Sequence, residues 1–184
     1  MPSSSVVLVD AHDTAIGVEE KLRAHTLGNL HRAVSVFAFD ASGALILQQR
    51  ALSKYHSGGL WSNTACTHPV VDEPVLHAAE RAVYEEMGVR MALRAAFRFR
   101  YRTAVPPNLI EHEYDHVFVG TMREPPRPAA DEVKAWRAVM PNVVGQEIST
   151  QPEAFSAWFR IALPLYQRWR DRADRWSNPF FETS

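Results

Sequence analysis

Cysteine is scarce in this 184-residue chain, where Cys66 is the only one. A single thiol cannot form an intramolecular disulfide, so we expect no disulfide framework. Long apolar runs are missing too, since none approaches the ~20 residues that a membrane-spanning helix requires. The first residues, MPSSSVVLVDAHD, have no basic segment ahead of an apolar core and do not resemble a secretion signal. These absences favour a protein of the reducing cytoplasm with no membrane partner.

An excess of either charge is also missing. Twenty basic side chains stand against twenty-one acidic ones, for a formal net charge of −1. A near-neutral chain gives no electrostatic reason to expect nucleic acid as a partner, so any anion must be held by a local basic cluster. The length predicts one domain over residues 1–184, which we expect to have an N-terminal extension and a C-terminal helix. The choice between a monomer and a homodimer is left open by the sequence. The last segment, RWSNPFFETS, is expected to be a loosely packed end rather than a cover on a site or a subunit contact.

Hydrophobic alternation predicts mostly strands in the middle of the chain. SSVVLVD and the segments on either side of the turn DASG run apolar or alternate, with β-branched and aromatic residues. ALRAAFRFRYRTAV and EHEYDHVFVGTM predict a second strand pair, joined by the turn PPN. GVEEKLRAHTLGNLH has helical spacing that breaks at Gly28, so we expect His25 and His31 on a loop leading into a strand.

Two helices are predicted. Asp72 is an N-cap candidate followed by an acid and a proline, which predicts a helix from Glu73 to about Met87 that stops at Gly88. Residues 152–173 are Trp-rich and amphipathic, which predicts a C-terminal helix. Central strands with these two helices indicate an α+β fold, with a mixed sheet packed between helices.

Cys66 lies in the polar segment SNTACTHP, two residues before His68. Residue type by itself favours a structural role, because a lone cysteine is more often a buried space-filling residue. In an extended segment, however, both side chains point to the same side. An imidazole or a metal beside a thiol changes its proton affinity. The surroundings of Cys66 therefore make it a candidate reactive group.

Two acidic pairs are candidates for cation binding. Glu111 and Glu113 project to one face of a predicted strand, while His112 points to the other. Side-by-side carboxylates repel each other, and a divalent metal held by carboxylates and imidazoles would offset the repulsion. Glu85 and Glu86 oppose the helix dipole near a helix C-terminus, which invites Mg²⁺. Solvated surface positions are the alternative for both pairs, and the histidine spacing fits no zinc-finger pattern.

Three basic residues are candidates for holding a diphosphate: Arg50, Lys54 and Arg81. Arginine offers a planar fork of donors and lysine a point charge. Taken singly, each is equally compatible with a solvated surface position, just as Trp61 and Trp158 are compatible with a hydrophobic core.

Taken together, these residues resemble a known pattern. TACTHPVVDEPVLHAAERAVYEEMGV is similar to the Nudix signature, G-x5-E-x7-R-E-U-x-E-E-x-G-U. The positions in register are Glu73, Arg81, Glu85, Glu86 and Gly88. Two positions depart from it, because Thr67 stands at the opening glycine and Ala82 at the first glutamate of the helix triad. Nudix hydrolases gather Mg²⁺ with that triad and activate water, so the loss of one carboxylate argues against hydrolysis.

A wider likeness, over roughly residues 5–170, is to the type I isopentenyl diphosphate isomerases. It rests on QQRALSK followed by GLWSNTACTHP, on FRYR at 99–102, on IEHE at 110–113 and on AFSAWF at 154–159. The resemblance implies a Nudix-like three-layer α/β/α sandwich with mixed and antiparallel sheets. It also implies interconversion of isopentenyl and dimethylallyl diphosphate through a tertiary carbocation, in isoprenoid biosynthesis. The alternatives are an isomerase or cyclase of a different or longer prenyl diphosphate, a Nudix diphosphate hydrolase, and a binding module without activity.

The resemblance assigns two metal sites. It implies a divalent ion, Zn²⁺ or Mn²⁺, surrounded by His25, His31, His68, Glu111 and Glu113. The spacing from His25 to His31 is one residue shorter than the family pattern, which weakens the assignment of His31. It also implies that Mg²⁺ bridges Glu86 and the substrate diphosphate, with a backbone carbonyl near Cys66 as a further ligand.

The remaining roles concern the substrate. The resemblance implies that Arg50, Lys54 and Arg81 contact the phosphates. Cys66 and Glu113 are implied as the opposed proton donor and acceptor. Tyr101 is implied to assist near Glu113, and Trp158 to face the hydrocarbon part of the substrate.

Overall fold

The structure is a computed structural model that describes residues 5–177, with side chains through residue 172. Its strands are β1 (Ser5–Val9), β2 (Ala15–Glu20), β3 (His31–Phe39), β4 (Leu45–Arg50), β5 (Trp61–Ser62), β6 (Ala65–Thr67), β7 (Arg94–Val105), β8 (Leu109–Thr121) and β9 (Val133–Val139). Its helices are α1 (Lys21–Leu27), α2 (Val75–Met87), α3 (Pro141–Thr150) and α4 (Ala157–Ser177), with a 3₁₀ turn at Pro152–Ala154. No helix within the described range is long and apolar enough to cross a membrane. The expectation for RWSNPFFETS falls outside the described side chains.

Strand β3 organises the sheet, because other strands pair with it on both sides. It runs parallel to β8, with His31 opposite Glu113, and antiparallel to β6, with Ser35 opposite Cys66. β7 pairs with β8, β9 pairs with β4, and β2 pairs with β1 at another edge. The predicted mixture of parallel and antiparallel pairing is therefore confirmed.

Alternation along β3 divides the core into two layers. Val36 belongs to an apolar cluster with Ala82 of α2, and Phe37 belongs to a cluster with Phe159 of α4. All four side chains are fully buried. The sheet is thus covered by α2 on one face and α4 on the other, which is the predicted α/β/α sandwich.

Two local predictions are confirmed by the backbone. In the DASG turn the Asp40 carboxylate accepts the N–H groups of Ser42 at 2.8 Å and Ala44 at 3.0 Å, which closes the β3–β4 hairpin. Helix α2 ends at Gly88, whose φ of 68° is left-handed. A Cβ at this position would clash with the carbonyl oxygen of Arg127, so glycine is also required sterically.

The prediction for residues 17–31 is partly wrong. The segment read as the start of a helix is the end of β2, and Glu20 caps α1 by accepting the N–H groups of Leu22 and Arg23 at 2.9 and 2.8 Å. His25 therefore lies in the last turn of α1 rather than on a loop, and His31 is the first residue of β3.

The predicted start of α2 is also wrong. Asp72 has a left-handed φ of 63° and is not the N-cap. The cap is Pro74, without a side-chain hydrogen bond, and the helix begins at Val75.

Residues 152–173 were predicted as one C-terminal helix, but they form the 3₁₀ turn at Pro152–Ala154 followed by α4. Gln151 leaves the helical conformation with a ψ of 60°, and α4 begins only at Ala157. The sequence reading missed α3, which directly precedes this break.

Candidate active site

A cavity of about 600 Å³ lies where β3, β4, β6 and β8 meet, next to α1, α2 and α4. The predicted site residues that line it are Arg50, Lys54, Cys66, His68, Glu86, Glu111, Glu113 and Trp158. Three others are buried in contact with these: His25, His31 and Tyr101. Cys66 and Glu113, which the sequence places 47 positions apart, thus line one cavity.

The protons of two histidines are fixed by the backbone. Nδ1 of His25 lies 2.7 Å from the carbonyl oxygen of Lys21, and Nδ1 of His31 lies 2.8 Å from that of Asn29. A carbonyl only accepts, so each Nδ1 carries the proton and each Nε2 offers a lone pair. Both Nε2 atoms are buried without a hydrogen-bond partner. This is the arrangement of imidazoles that ligate a metal.

Carboxylates complete this centre. Nε2 of His25 lies 3.2 Å from Oε2 of Glu111. Nε2 of His68 lies 3.0 Å from Oε1 of Glu113, and Nε2 of His31 lies 3.7 Å from the same oxygen. His25, His31, His68 and Glu113 each offer one ligand atom, and these atoms lie within 4.8 Å of one another. Buried imidazole nitrogens and carboxylate oxygens at such distances fit a divalent ion such as Zn²⁺ or Mn²⁺.

Burial sets the charges in this centre. Desolvation lowers the pKa of His68 to about 3, so its imidazole is neutral near pH 7. Burial and the charge of Glu113 raise the pKa of Glu111. Burial acts to raise the pKa of Glu113 as well, but the adjacent imidazoles of His31 and His68 outweigh it and lower the pKa. The two carboxyls therefore favour different charge states, as expected of acids held side by side.

The surroundings of Cys66 and Glu113 shift the pKa values of these two groups in opposite directions. Burial, and next the charge of Glu86, raises the pKa of the Cys66 thiol, so it keeps its proton at neutral pH. Nη1 of Arg50 lies 3.9 Å from its Sγ. The Tyr101 hydroxyl donates to Oε2 of Glu113 at 2.6 Å. The cavity thus contains a proton-bearing thiol and an oriented carboxyl group.

Trp158 forms an aromatic wall of the cavity. Its side chain is 5% exposed, and its Nε1 donates to Oδ1 of Asn63 at 3.2 Å. The guanidinium carbon of Arg50 lies 5.0 Å from the ring centroid, within the range of a cation–π interaction. The ring is therefore fixed where it already accommodates a positive charge.

A second acidic group lies on the α2 side. Glu86 accepts hydrogen bonds from Nε2 of Gln48 and from the backbone N–H of Cys66, the latter at 3.3 Å. Burial raises the pKa of Glu86 to about 7. Lys54 forms an ion pair with Glu132, which also lines the cavity. Charged groups of both signs are thus available near Cys66 for a diphosphate and its cation.

Arg81 is not placed as predicted. Its guanidinium donates to both carboxylate oxygens of Glu73 at 2.8 Å, to Glu85 at 3.1 Å and to the carbonyl of His68 at 3.2 Å. It is not among the residues that line the cavity. In this geometry Arg81 supports the backbone at His68, and its contact with the phosphates stays a prediction.

Sequence reasoning missed Lys21 and His56. Lys21 lines the cavity one helical turn before His25, and its Nζ lies 5.3 Å from the ring centroid of Tyr55. That i, i+4 spacing on α1 was an available signal. His56 lies in the loop KYHSGG, and its Nε2 is 3.1 Å from Oε1 of Glu111. A loop without periodicity gave no signal for this contact.

The α/β/α sandwich, with helix α2 beside the cavity, defines a Nudix-type domain. A family profile described as NUDIX domain matches residues 29–161. Similar solved structures include a Deinococcus radiodurans protein, with a TM-score of 0.74 and 17% identity, covering 88% of this chain and 98% of that one. Another is a MutT protein from Methanosarcina mazei, with a TM-score of 0.62 and 18% identity, covering 76% and 94%. At these identities the likeness concerns the fold alone.

Curated relatives narrow this class. The chain is 47% identical over 161 residues to the isopentenyl-diphosphate Delta-isomerase of Pectobacterium atrosepticum, covering 88% of this chain and 90% of that protein. It is 47% identical over 154 residues to the enzyme of that name from Serratia proteamaculans, covering 84% and 86%. It is 46% identical over 159 residues to the enzyme of that name from Streptomyces coelicolor, covering 85% of this chain and 80% of that protein. The chain belongs to the isopentenyl-diphosphate Delta-isomerase family within the Nudix superfamily.

Proposed function

We propose that this protein interconverts isopentenyl diphosphate and dimethylallyl diphosphate, a reaction of isoprenoid biosynthesis. The observation that carries the proposal is the presence of Cys66, Glu113 and Trp158 around one cavity of about 600 Å³. The relatives that bear the name of this isomerase support the choice of substrate. A cytoplasmic location and a monomeric or homodimeric state stay predictions.

The reaction moves one double bond by two proton transfers. A proton adds to the terminal CH₂ carbon of the alkene and leaves a tertiary carbocation, and the neighbouring CH₂ carbon then loses a proton. We assign these transfers to Cys66 and Glu113, one as donor and the other as acceptor. Tyr101 orients the Glu113 carboxyl group through its hydroxyl. The substrate gains one proton and loses one in each turnover, so the product has the same number of protons.

Trp158 would stabilise the carbocation. An aromatic face contributes about 2 kcal/mol to a cation when water is excluded. The ring is nearly fully buried, and its hydrogen bond to Asn63 fixes its plane. Exclusion of water also prevents hydration of the cation, which would give an alcohol instead of the isomer.

The basic residues that line the cavity suit the diphosphate. We propose that Arg50 and Lys54 contact the phosphates and that Lys21, which lines the same cavity, adds a third positive charge. Lys54 is paired with Glu132, so a bound phosphate would take the place of one anion beside it. Glu86 and a backbone carbonyl near Cys66 would hold Mg²⁺, which offsets phosphate charge when bound.

The buried histidine centre would hold the second ion, Zn²⁺ or Mn²⁺. We propose as its ligands His25, His31, His68, Glu111 and Glu113. When bound, the ion makes a protonated Glu113 more acidic than an isolated carboxylic acid. The hydrogen bonds from both Nδ1 atoms to backbone carbonyls keep the rings of His25 and His31 oriented with or without substrate.

The test is isomerisation in deuterated water. Incubation with isopentenyl diphosphate and Mg²⁺ should give dimethylallyl diphosphate that carries deuterium. Absence of both product and label exchange would overturn the proposal. Cys66→Ala and Glu113→Gln are the inactive controls, and their thermal unfolding should show that they remain folded.

The same assay separates the alternatives. Prenyl diphosphates of increasing length test for a longer substrate, and a preference for the shortest one supports isopentenyl diphosphate. Release of phosphate would indicate a hydrolase instead. Ala82 argues against hydrolysis, because this buried core residue stands where the hydrolases carry a carboxylate.

A further inference from the structure

His56 is a buried loop residue that contacts the proposed metal centre. It lies between β4 and β5 and is 7% exposed. Its Nε2 lies 3.1 Å from Oε1 of Glu111, and its ring centroid lies 5.9 Å from that of His25. Its ring also meets Trp158 in an edge-to-face arrangement at 5.8 Å. His56 thus fills the space between the histidine centre and the aromatic wall.

The contact of His56 Nδ1 with Ser57 is compatible with a ring proton on Nε2. Nδ1 lies 3.2 Å from Oγ of Ser57, which can donate its hydroxyl proton to it. With Nδ1 as the acceptor, the ring proton resides on Nε2 and points to Glu111. The carbonyl of His56 accepts a hydrogen bond from Nη2 of Arg50 at 3.4 Å, which holds the loop backbone.

The two oxygens of Glu111 consequently have different surroundings. Oε1 lies 3.1 Å from Nε2 of His56, which would carry the ring proton in this tautomer. Oε2 lies 3.2 Å from Nε2 of His25, and both of these atoms are buried without a hydrogen-bond partner. Each oxygen thus lies beside one imidazole: Oε1 beside His56 of the loop, and Oε2 beside the Nε2 lone pair of His25.

We propose that His56 is a positioning residue for the metal centre. Its Nε2–H donates to Oε1 of Glu111 and thereby turns Oε2 toward His25 and the ion. The proposal rests on the metal centre described under the proposed function. Hydrogen bonds of this kind orient ligands, and their loss typically costs 10–100-fold in metal affinity. Ligand atoms of His25, His56 and Glu111 also lie within 4.8 Å of one another. Because Nε2 of His56 carries the proton in the proposed tautomer, His56 acts through Glu111 and does not itself coordinate.

The test measures metal affinity on the purified full chain. Metal-free wild type, His56→Ala and His56→Gln are titrated with Zn²⁺ against a competing chelator, and the absorption spectrum of each Co²⁺-loaded protein is recorded. His56→Ala should bind Zn²⁺ about 10–100-fold more weakly. His56→Gln, whose side-chain N–H can still donate, should recover part of the loss. The Co²⁺ spectrum should stay the same, because the coordinating atoms are unchanged. Leu52→Ala, an exposed residue of the same loop, is the matched control and should bind as wild type does.

Four results would contradict the proposal. Equal Zn²⁺ affinity in wild type and His56→Ala removes the positioning role. No recovery in His56→Gln assigns the loss to packing rather than to the hydrogen bond. A changed Co²⁺ spectrum makes His56 a direct ligand. A wild type that binds no Zn²⁺ refutes the metal centre together with this inference, whereas label exchange in deuterated water decides the isomerase function separately.

Discussion

The hydroxyl of Tyr101 offers a sharp test of how the site orients its carboxyl group. It donates to Oε2 of Glu113 at 2.6 Å, and the tyrosine is 8% exposed. Burial, and then the charge of Glu113, raises the pKa of Tyr101 well above its usual value, so the hydroxyl remains a donor at every working pH. Tyr101→Phe removes this one bond and keeps the ring, which stacks on Phe99 with centroids 5.5 Å apart.

The size of the effect follows from the type of bond. A buried hydrogen bond to a charged group contributes about 1.5–3 kcal/mol. Each ~1.4 kcal/mol changes a rate tenfold, so loss of the bond should lower kcat about tenfold to 100-fold. The hydroxyl contacts Glu113 and not the residues proposed for the diphosphate, so KM for isopentenyl diphosphate should change little.

The assay is steady-state formation of dimethylallyl diphosphate by wild type, Tyr101→Phe and Tyr84→Phe. Tyr84 is the matched control, because it is exposed on α2 and loses only a hydroxyl, while its ring still faces the Arg90 guanidinium. Thermal unfolding of each protein shows that it is folded. A kcat for Tyr101→Phe within twofold of wild type would refute the reasoning that this bond positions Glu113.

Three further predictions concern the thiol and the cations. Cys66→Ala should lower turnover about 10²–10⁴-fold with little change in thermal unfolding, and more than a tenth of wild-type turnover would contradict the assigned proton transfer. In metal-free protein, the raised pKa of Glu86, about 7 against an ordinary 4.5, should reduce stability as pH rises through this window, by about 3 kcal/mol at most. Glu86→Gln should flatten that dependence in thermal unfolding, and an unchanged slope would contradict it. A chelator should lower the unfolding temperature of purified wild type but not of His25→Ala, and equal shifts in both would place the ion elsewhere.

Sequence patterns predicted the parts of the fold whose signals are local. The Asp40 side chain and the left-handed Gly88 act on their own neighbours, so the β3–β4 hairpin and the end of α2 could be read directly. β2 was misread because its apolar residues, Ile16 and Val18, are exposed, so its pattern does not mark a buried face. The start of α2 was misread because Glu73 is engaged with Arg81 eight residues further on.

The site was predictable only where the resemblance supplied it. Residue types nominated Cys66, Glu111 and Glu113, but no spacing rule brings β6 and β8 to opposite sides of β3; that arrangement comes from strand pairing. His56 escaped because its partner, Glu111, is 55 positions away and its loop has no periodicity. Local sequence patterns do not show which distant strands and side chains contact each other.

Lys21 uses its main chain and its side chain for two different tasks. Its carbonyl oxygen accepts a hydrogen bond from Nδ1 of His25, while its side chain lines the cavity. Every residue has this carbonyl, so the charge offered to an anionic substrate can vary at this position while the neighbouring imidazole stays in place. A substitution at position 21 can therefore change the charge that faces the substrate without moving the His25 ring, which is proposed to bind the ion.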